Sequence, residues 1–406
     1  MSASVSMSAR LAIRPELDRA PPSGIVEVAN YGRGREGLIP LWIGEGHRPT
    51  PAFIADAAAK ALAEGHTFYT WQRGIPELRE AIARYTGRLF GRSFDPERFY
   101  VTVGGMHALQ MAVRLVSGTG DEVVVPTPAW PNFEGAVEMT GARTVPVPMS
   151  PGPDGWVLDL DRLEAAITSR TRALVVNSPS NPTGWTASRA DLVRILEIAR
   201  RHGIWIIADE IYQRFVYDQA LGAADGRTPS FHDIMEEDDR ILFLQTFSKN
   251  WAMTGWRIGW LEAPPALGPA IENLVQYTTS GVPTFIQRAA VTAIEEGDWL
   301  VEEHIDLARR NREVVCEGLR ATNVVALPSP PGAFYAFFSV DGVTDTRQLA
   351  LDLIDHANVG LAPGTAFGPG GADHLRLCFL RDTAMLEEAI ARLATALPRL
   401  AGRRAA

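Results

Sequence analysis

Lysine is rare in this chain: Lys60 and Lys249 stand against thirty-seven arginines in 406 residues. A position that needs only a cation would here be arginine, because the two side chains part company chiefly where the proton can leave. Lys249, in "QTFSKNWAMTGWRIGW" (245–260), therefore calls for a reason. A desolvated lysine amine loses its proton and condenses with an aldehyde, whereas a guanidinium stays charged. Phe247, Trp251 and Met253 beside it offer the dry setting that lowers its pKa. The plainer reading is a lysine on a solvated loop.

Residues at the ends of other strand-like runs could serve the same chemistry. Asp209 closes "GIWIIAD", where a carboxylate is either a turn former or helix cap, or a buried acid that keeps a heterocyclic nitrogen protonated. A protonated pyridine beside an imine is an electron sink, which is what pyridoxal phosphate offers. "VNSPSNPTG" reads as a turn, and its Asn181 amide would suit the phenolate oxygen of that cofactor. "VTVGGMHAL" runs strand, two glycines, helix, and presents free backbone N–H groups to an anion such as phosphate. It has neither the G-x-G-x-x-G nor the G-K-[ST] spacing of nucleotide loops. Arg257 adds a fork-shaped guanidinium that suits a phosphate. There is no G-x-S-x-G elbow, and none of the eight histidines stands four residues from another, so no metal is expected.

The elements that must position these residues follow from the apolar periods. From residue 52, helix-like stretches (Ala52–Glu64, Pro76–Phe90, Gly104–Val116, Asp161–Ser169, Arg189–His202) alternate with short β-branched runs such as "DEVVVP", "RALVVN", "GIWIIAD" and "RILFLQ". That alternation predicts an α/β domain with a mostly parallel sheet covered on both faces, and ligands gather at the carboxyl ends of such strands. After about residue 290 the pattern loosens into a long helical stretch (Val282–Leu319), strands at "VVALP", "AFYAFF" and "HLRLCFL", and a last helix from Ala384, which suggests a smaller α+β layer. The divisions expected are an N-terminal arm and small-domain segment (1–50), a large domain (51–290) and a small C-terminal domain (291–406). Residues 1–20 and the final "AGRRAA" read as poorly ordered ends.

Bulk properties exclude several classes. The net charge is −9, with arginine dispersed along the chain, so neither nucleic acid nor an anionic membrane is indicated. Cys316 and Cys378 read as core fillers rather than a disulfide framework, and no run of about eighteen apolar residues occurs, so the cytoplasm is the expected compartment.

In this order the motifs "GLIPLWIGEG", "YTWQRGIPELREAIARY", "VTVGGMHAL", "NSPSNPTG", "ADEIY", "SKNWAMTGWRIG" and "HLRLCFL" resemble the fold type I pyridoxal-phosphate-dependent aminotransferases, class I/II, of the aspartate aminotransferase superfamily. The resemblance implies the fold of that group, a seven-stranded-type sheet in the large domain and a smaller domain built from both chain ends. It implies Lys249 as the internal aldimine lysine and the base that moves the substrate proton, in a ping-pong exchange between an L-amino acid and a 2-oxo acid. Asp209 would pair with the pyridine nitrogen, Asn181 and Tyr212 would bond the 3-hydroxyl, and Trp130 would stack on the ring. Gly105, Met106, Thr246, Ser248 and Arg257 would form the phosphate cup. Arg376 would grip the substrate α-carboxylate, helped by Gly44 and Asn177. Tyr69 would reach the phosphate of a neighbouring subunit, which implies a homodimer with shared active sites.

Two departures stand out. Gly46, His47 and Arg48 replace the family's usual run after the glycine at 44, and Met106 occupies a place where one branch of the family carries a lysine that recognises a side-chain carboxylate. The alternative on the same cofactor is a β-lyase or racemase. A DNA-binding regulator built on this fold would need an added basic domain, for which the first twenty residues are too short.

Overall fold

The computed structural model describes residues 14–20, 22–152, 155–222 and 226–404. Its centre is a seven-stranded sheet. In chain order the strands are β1 (Phe99–Thr102), β2 (Glu122–Thr127), β3 (Arg143–Pro148), β4 (Thr171–Asn177), β5 (Trp205–Asp209), β6 (Ile241–Thr246) and β7 (Gly259–Glu262). Across the sheet they lie β1-β7-β6-β5-β4-β2-β3. All neighbours are parallel except β7, which runs antiparallel to both β6 and β1. Alternate residues of β2, β4 and β5 enter two separate buried clusters: Val124, Leu174, Val176 and Ile206 on one face, Val123, Ala173, Val175 and Ile207 on the other. Burial on both faces is why these strands read as continuous apolar runs.

The expected parallel sheet is present, with β7 as an unforeseen member. It is only four residues long and follows directly on the Lys249 segment, so no apolar period announces it. Its pairing with two strands carries it into the core, where Trp260 lies opposite both Gln245 and Val101.

The helices that flank the sheet begin where local chemistry starts them. Call α1 Gly24–Gly32, α2 Ala52–Ala63, α3 Pro76–Phe90, α4 Gly104–Val116 and α5 Arg189–His202. A proline in the first turn starts α3, and α5 opens with a capping box in which Ser188 and Asp191 each satisfy the other's backbone N–H. By contrast α4 has no side-chain cap, so its first N–H groups are left for something else. The expected helix Asp161–Ser169 is shorter, Leu160–Ala165. Thr168 ends it by turning its hydroxyl to Glu122, 2.6 Å away, and its N–H to the Thr171 hydroxyl.

The long helical stretch expected from Val282 is two helices, α6 (Thr284–Glu296) and α7 (Asp298–Arg320), broken at Gly297, against which the Trp251 ring packs. Beyond them a four-stranded sheet is ordered β8-β9-β11-β10, with β8 Val325–Ala326, β9 Tyr335–Val340, β10 Ala362–Pro363 and β11 His374–Cys378. The N-terminal segment joins this region: Ile39–Pro40 pairs in parallel with Val359–Gly360, and α1 packs against α8 (Thr346–Ala357). The last helix, α9, runs from Thr383 to Arg404 and so takes in most of the tail that read as disordered. Of the N-terminal end, residues 1–13 lie outside the described residues, while Glu16–Arg19 forms one helical turn with Arg19 bonded to Glu138. Among the described residues no helix is long and apolar enough to cross a membrane.

Candidate active site

The carboxyl ends of β1, β2, β4, β5 and β6 open onto one cavity of about 390 Å³. Register sets the neighbours, with Asn177 opposite Asp209 and Asp209 opposite Leu244 across β4, β5 and β6. Every site residue singled out in the sequence, Tyr69 excepted, lines this cavity.

Lys249 sits in a helical turn, Phe247–Asn250, that begins as β6 ends at Thr246. Its amine points inward and donates to the Gly44 carbonyl at 2.7 Å, while the residue keeps some exposure through the open cavity. Burial of the amine lowers its pKa to about 8, with Arg376 and Arg257 pushing the same way and Cys378 and Glu45 opposing. A neutral, nucleophilic amine is thus available close to neutral pH.

Asp209 ends β5 and is almost wholly buried. Burial raises its pKa to about 7; the Ile211 N–H, 3.4 Å from the carboxylate, and the Lys249 charge pull only partly the other way. A carboxylate this poorly served would gain from a cationic N–H donor in the cavity. Asn177 braces the strand ends instead of facing a ligand with its whole amide: its nitrogen donates to the Asp209 carbonyl at 3.1 Å and its oxygen accepts the Asn181 N–H at 2.8 Å.

Arg376 lies in β11 opposite Phe337. One terminal nitrogen donates to the Asn181 amide oxygen at 2.9 Å, the other to the Trp42 carbonyl, and Nε has no partner. The guanidinium is held against the rings of Tyr335 and Phe367, 4.8 and 4.9 Å away. It is 2% exposed and forms an ion pair with no carboxylate among the described residues, so an anion from outside would complete it.

At the opposite end of the cavity the uncapped start of α4 meets Arg257. The Arg257 backbone takes the left-handed conformation, φ 54°, and one guanidinium nitrogen donates to the Thr254 carbonyl at 2.7 Å. A Cβ on Gly104 would lie 2.7 Å from the other terminal nitrogen, so only glycine lets the guanidinium lie over the helix start. The Thr246 and Ser248 hydroxyls, 2.9 Å apart, stand on the same side of the cavity. Free N–H groups, two hydroxyls and a guanidinium are a donor set for a phosphate dianion. Together with an aldehyde-reactive amine and a lone buried acid, these residues fit pyridoxal phosphate.

Tyr335 and Trp42 also line the cavity, though nothing in the sequence marks them. The Tyr335 hydroxyl lies 2.8 Å from that of Tyr212 and fills the space where a Cβ on Gly44 would stand, 2.1 Å away. Burial pushes the hydroxyl pKa of both tyrosines up. Tyr335 is one aromatic among several in "AFYAFF", and only its pairing opposite Cys378 reveals its place. Trp42 contributes a carbonyl, which no residue type can signal.

Tyr69 stays outside the cavity, 95% exposed, next to Phe68 and near Trp71. The departing segment does not line this cavity but a second, small pocket that it shares with Ser248 and Lys249; Arg48 pairs with Glu303 of α7, and Arg381 donates to the Gly46 carbonyl. His47 is half-buried there, its pKa lowered by burial.

Residues 38–393 match the family described as aminotransferase class I and II. The chain is 34% identical over 389 residues to the aromatic-amino-acid aminotransferase 2 of Thermococcus litoralis, covering 94% of this chain and 97% of that one. It is 35% identical over 376 residues to the arginine–pyruvate transaminase of Pseudomonas aeruginosa, covering 92% and 93%. Among solved structures, a single mutant of the Thermus thermophilus aspartate aminotransferase superposes with a TM-score of 0.86 at 34% identity, over 95% of this chain and 99% of that one. With the amine, the acid and the anion-binding ends in one cavity, these likenesses lead to one conclusion: the chain belongs to the class I and II aminotransferases, a pyridoxal-phosphate-dependent family, and is an aminotransferase.

Proposed function

We propose that the protein binds pyridoxal 5'-phosphate through Lys249 and moves an amino group between an L-amino acid and a 2-oxo acid in a ping-pong cycle. The observation that carries this reading is the Lys249 amine, enclosed, bonded to a backbone carbonyl and in no ion pair among the described residues, in the same cavity as the lone carboxyl of Asp209. When bound, the cofactor supplies an aldehyde for amines and a protonated ring that accepts the electrons of a broken Cα–H bond.

The chain's own residues do the rest. Arg376 holds the substrate α-carboxylate by two parallel hydrogen bonds, its unpartnered Nε providing one. With the substrate held so, the free Lys249 amine would take the Cα proton and hand it on to the cofactor's former aldehyde carbon, two atoms along. Asp209 keeps a proton on the ring nitrogen by charge, and Asn181 and Tyr212 donate to the ring oxygen. Trp130 covers one face and keeps water from it. Gly105, Met106, Thr246, Ser248 and Arg257 hold the phosphate.

The exposed aromatics Phe68, Tyr69, Trp71 and Tyr277, from 60% to 95% accessible, support a homodimer in which Tyr69 enters the partner's phosphate cup. The free, buried Cys316 and Cys378 support a reducing compartment, the cytoplasm.

Borohydride treatment of the cofactor-loaded protein should fix the cofactor's mass onto the peptide carrying Lys249. Lys249→Ala should fold, take no such mass and lose turnover by at least about 100- to 10,000-fold. An alanine variant transaminating at the wild-type rate rules the reading out.

A further inference from the structure

The amino donor is open, since the relatives named above act on aromatic, arginine and aspartate substrates. The charges facing the cavity narrow it. Its lining holds three cations, Lys249, Arg257 and Arg376, and one acid, Asp209. On the reading proposed above, on which this inference rests, all four are engaged by the cofactor and the substrate α-carboxylate.

The wall that remains carries no charge. It includes Ile25 and Val26 of α1, Ile43 of the following segment, and Met106 and Asn132, which are joined by an amide-to-sulfur contact of 3.2 Å. Val26 and Ile43 are 54% and 45% exposed, large apolar side chains that are only half covered. A charged substrate tail here would lose water and find no counter-charge, whereas an apolar tail would bury surface against it.

The pocket beside Tyr69, lined by residues 66–70 and 279–285, contains His66 but neither lysine nor arginine, neither aspartate nor glutamate. The nearby Arg73 is already paired with Glu97 and Glu272, and Arg288 with Glu77.

We infer that the preferred donor is an amino acid with a large uncharged apolar or aromatic side chain, held against Ile25, Val26, Ile43 and Met106. Neither a dicarboxylic nor a cationic amino acid fits this wall.

Calorimetric titration of the cofactor-loaded protein with three amine-free carboxylates tests it: 3-phenylpropanoate, succinate and 5-guanidinopentanoate. The first should bind at least about tenfold more tightly than either other. Equal or tighter binding of succinate or the guanidino acid overturns the inference, as does binding of none. Met106→Lys should shift the 3-phenylpropanoate to succinate ratio at least about tenfold toward succinate. Val26→Ser, at an exposed helix position, should weaken 3-phenylpropanoate about threefold and leave succinate unchanged. If neither variant moves the ratio, the wall is elsewhere and the inference falls. Borohydride labelling of the Lys249 peptide in the same preparation separates the two failures: label present with a succinate preference sinks only the donor class, and label absent sinks the cofactor reading beneath it.

Discussion

Asp209 and Glu210 are neighbours in sequence, both buried, and burial raises both carboxyl pKa values to about 7. Their surroundings differ. Glu210 faces a network in which the Ser230 hydroxyl donates to it at 2.6 Å and the Phe231 N–H at 3.3 Å. Ser230 in turn touches His232, whose other ring nitrogen lies 2.8 Å from Glu262, which takes a bond from Arg98 at 3.0 Å. The His232 ring stacks on Phe243 of β6 at 3.8 Å. Within this chain of contacts each charged or hydroxyl group named is answered by another. Among the described residues the Asp209 carboxylate has a single long contact, and the cavity it faces also holds the unanswered Nε of Arg376. A shifted titration therefore does not mark a reactive group; unmet bonding capacity beside open space does.

Removing each acid in turn separates their roles. Asp209→Ala should reduce turnover by about 100-fold or more while leaving the denaturant midpoint of the cofactor-free chain near or above the wild-type value, because among the described residues only the long Ile211 N–H contact depends on that carboxylate. Glu210→Ala should do the reverse and cost roughly 3 kcal/mol in urea unfolding, since the Ser230 hydroxyl and the Phe231 N–H lose their acceptor inside the core. Turnover lost with Glu210 but kept without Asp209 would invert the assignment.

Smaller effects sharpen it through pH. In the cofactor-free chain both carboxyls hold their protons more tightly when folded than unfolded, so their contribution to stability falls as pH rises from about 4 toward 7. Asp209→Asn should remove part of that slope, measured by thermal unfolding, and cofactor binding should remove a similar part in the wild type. For Lys249 the folded pKa is below the usual lysine value, so the reactive neutral form predominates above about pH 8. The rate at which the cofactor-free protein takes up pyridoxal phosphate, followed by absorbance, should rise to about that pH and then level off. A rate still climbing near pH 10 would mean an amine open to solvent.

What could be read in the sequence was what local chemistry decides. The limits of α3, α4 and α5 coincide with expectation because a proline, a glycine pair and a Ser-Asp capping box mark them within a few residues. Lys249 stood out through its rarity, and Asp209 through its place at the end of an apolar run. β7, the break at Gly297, Tyr335 and the Trp42 carbonyl were illegible because each depends on a partner distant in the chain. The His232 network was hidden for the same reason: Arg98, Glu210, Ser230, His232 and Glu262 are scattered, and each alone is an ordinary polar residue. Tyr69 is the opposite case, read from a motif and left bare in a single copy of the chain.

The pairing of Ile39–Pro40 with Val359–Gly360 ties the strand before Ile43 and Gly44 to the body that carries Arg376. Were that body to rock toward the large sheet, the clamp on a substrate's head and the cheek against its tail would advance as one jaw. Discrimination and closure would then be a single stroke, and a guest with the wrong tail would hold the jaw ajar however well its head was gripped.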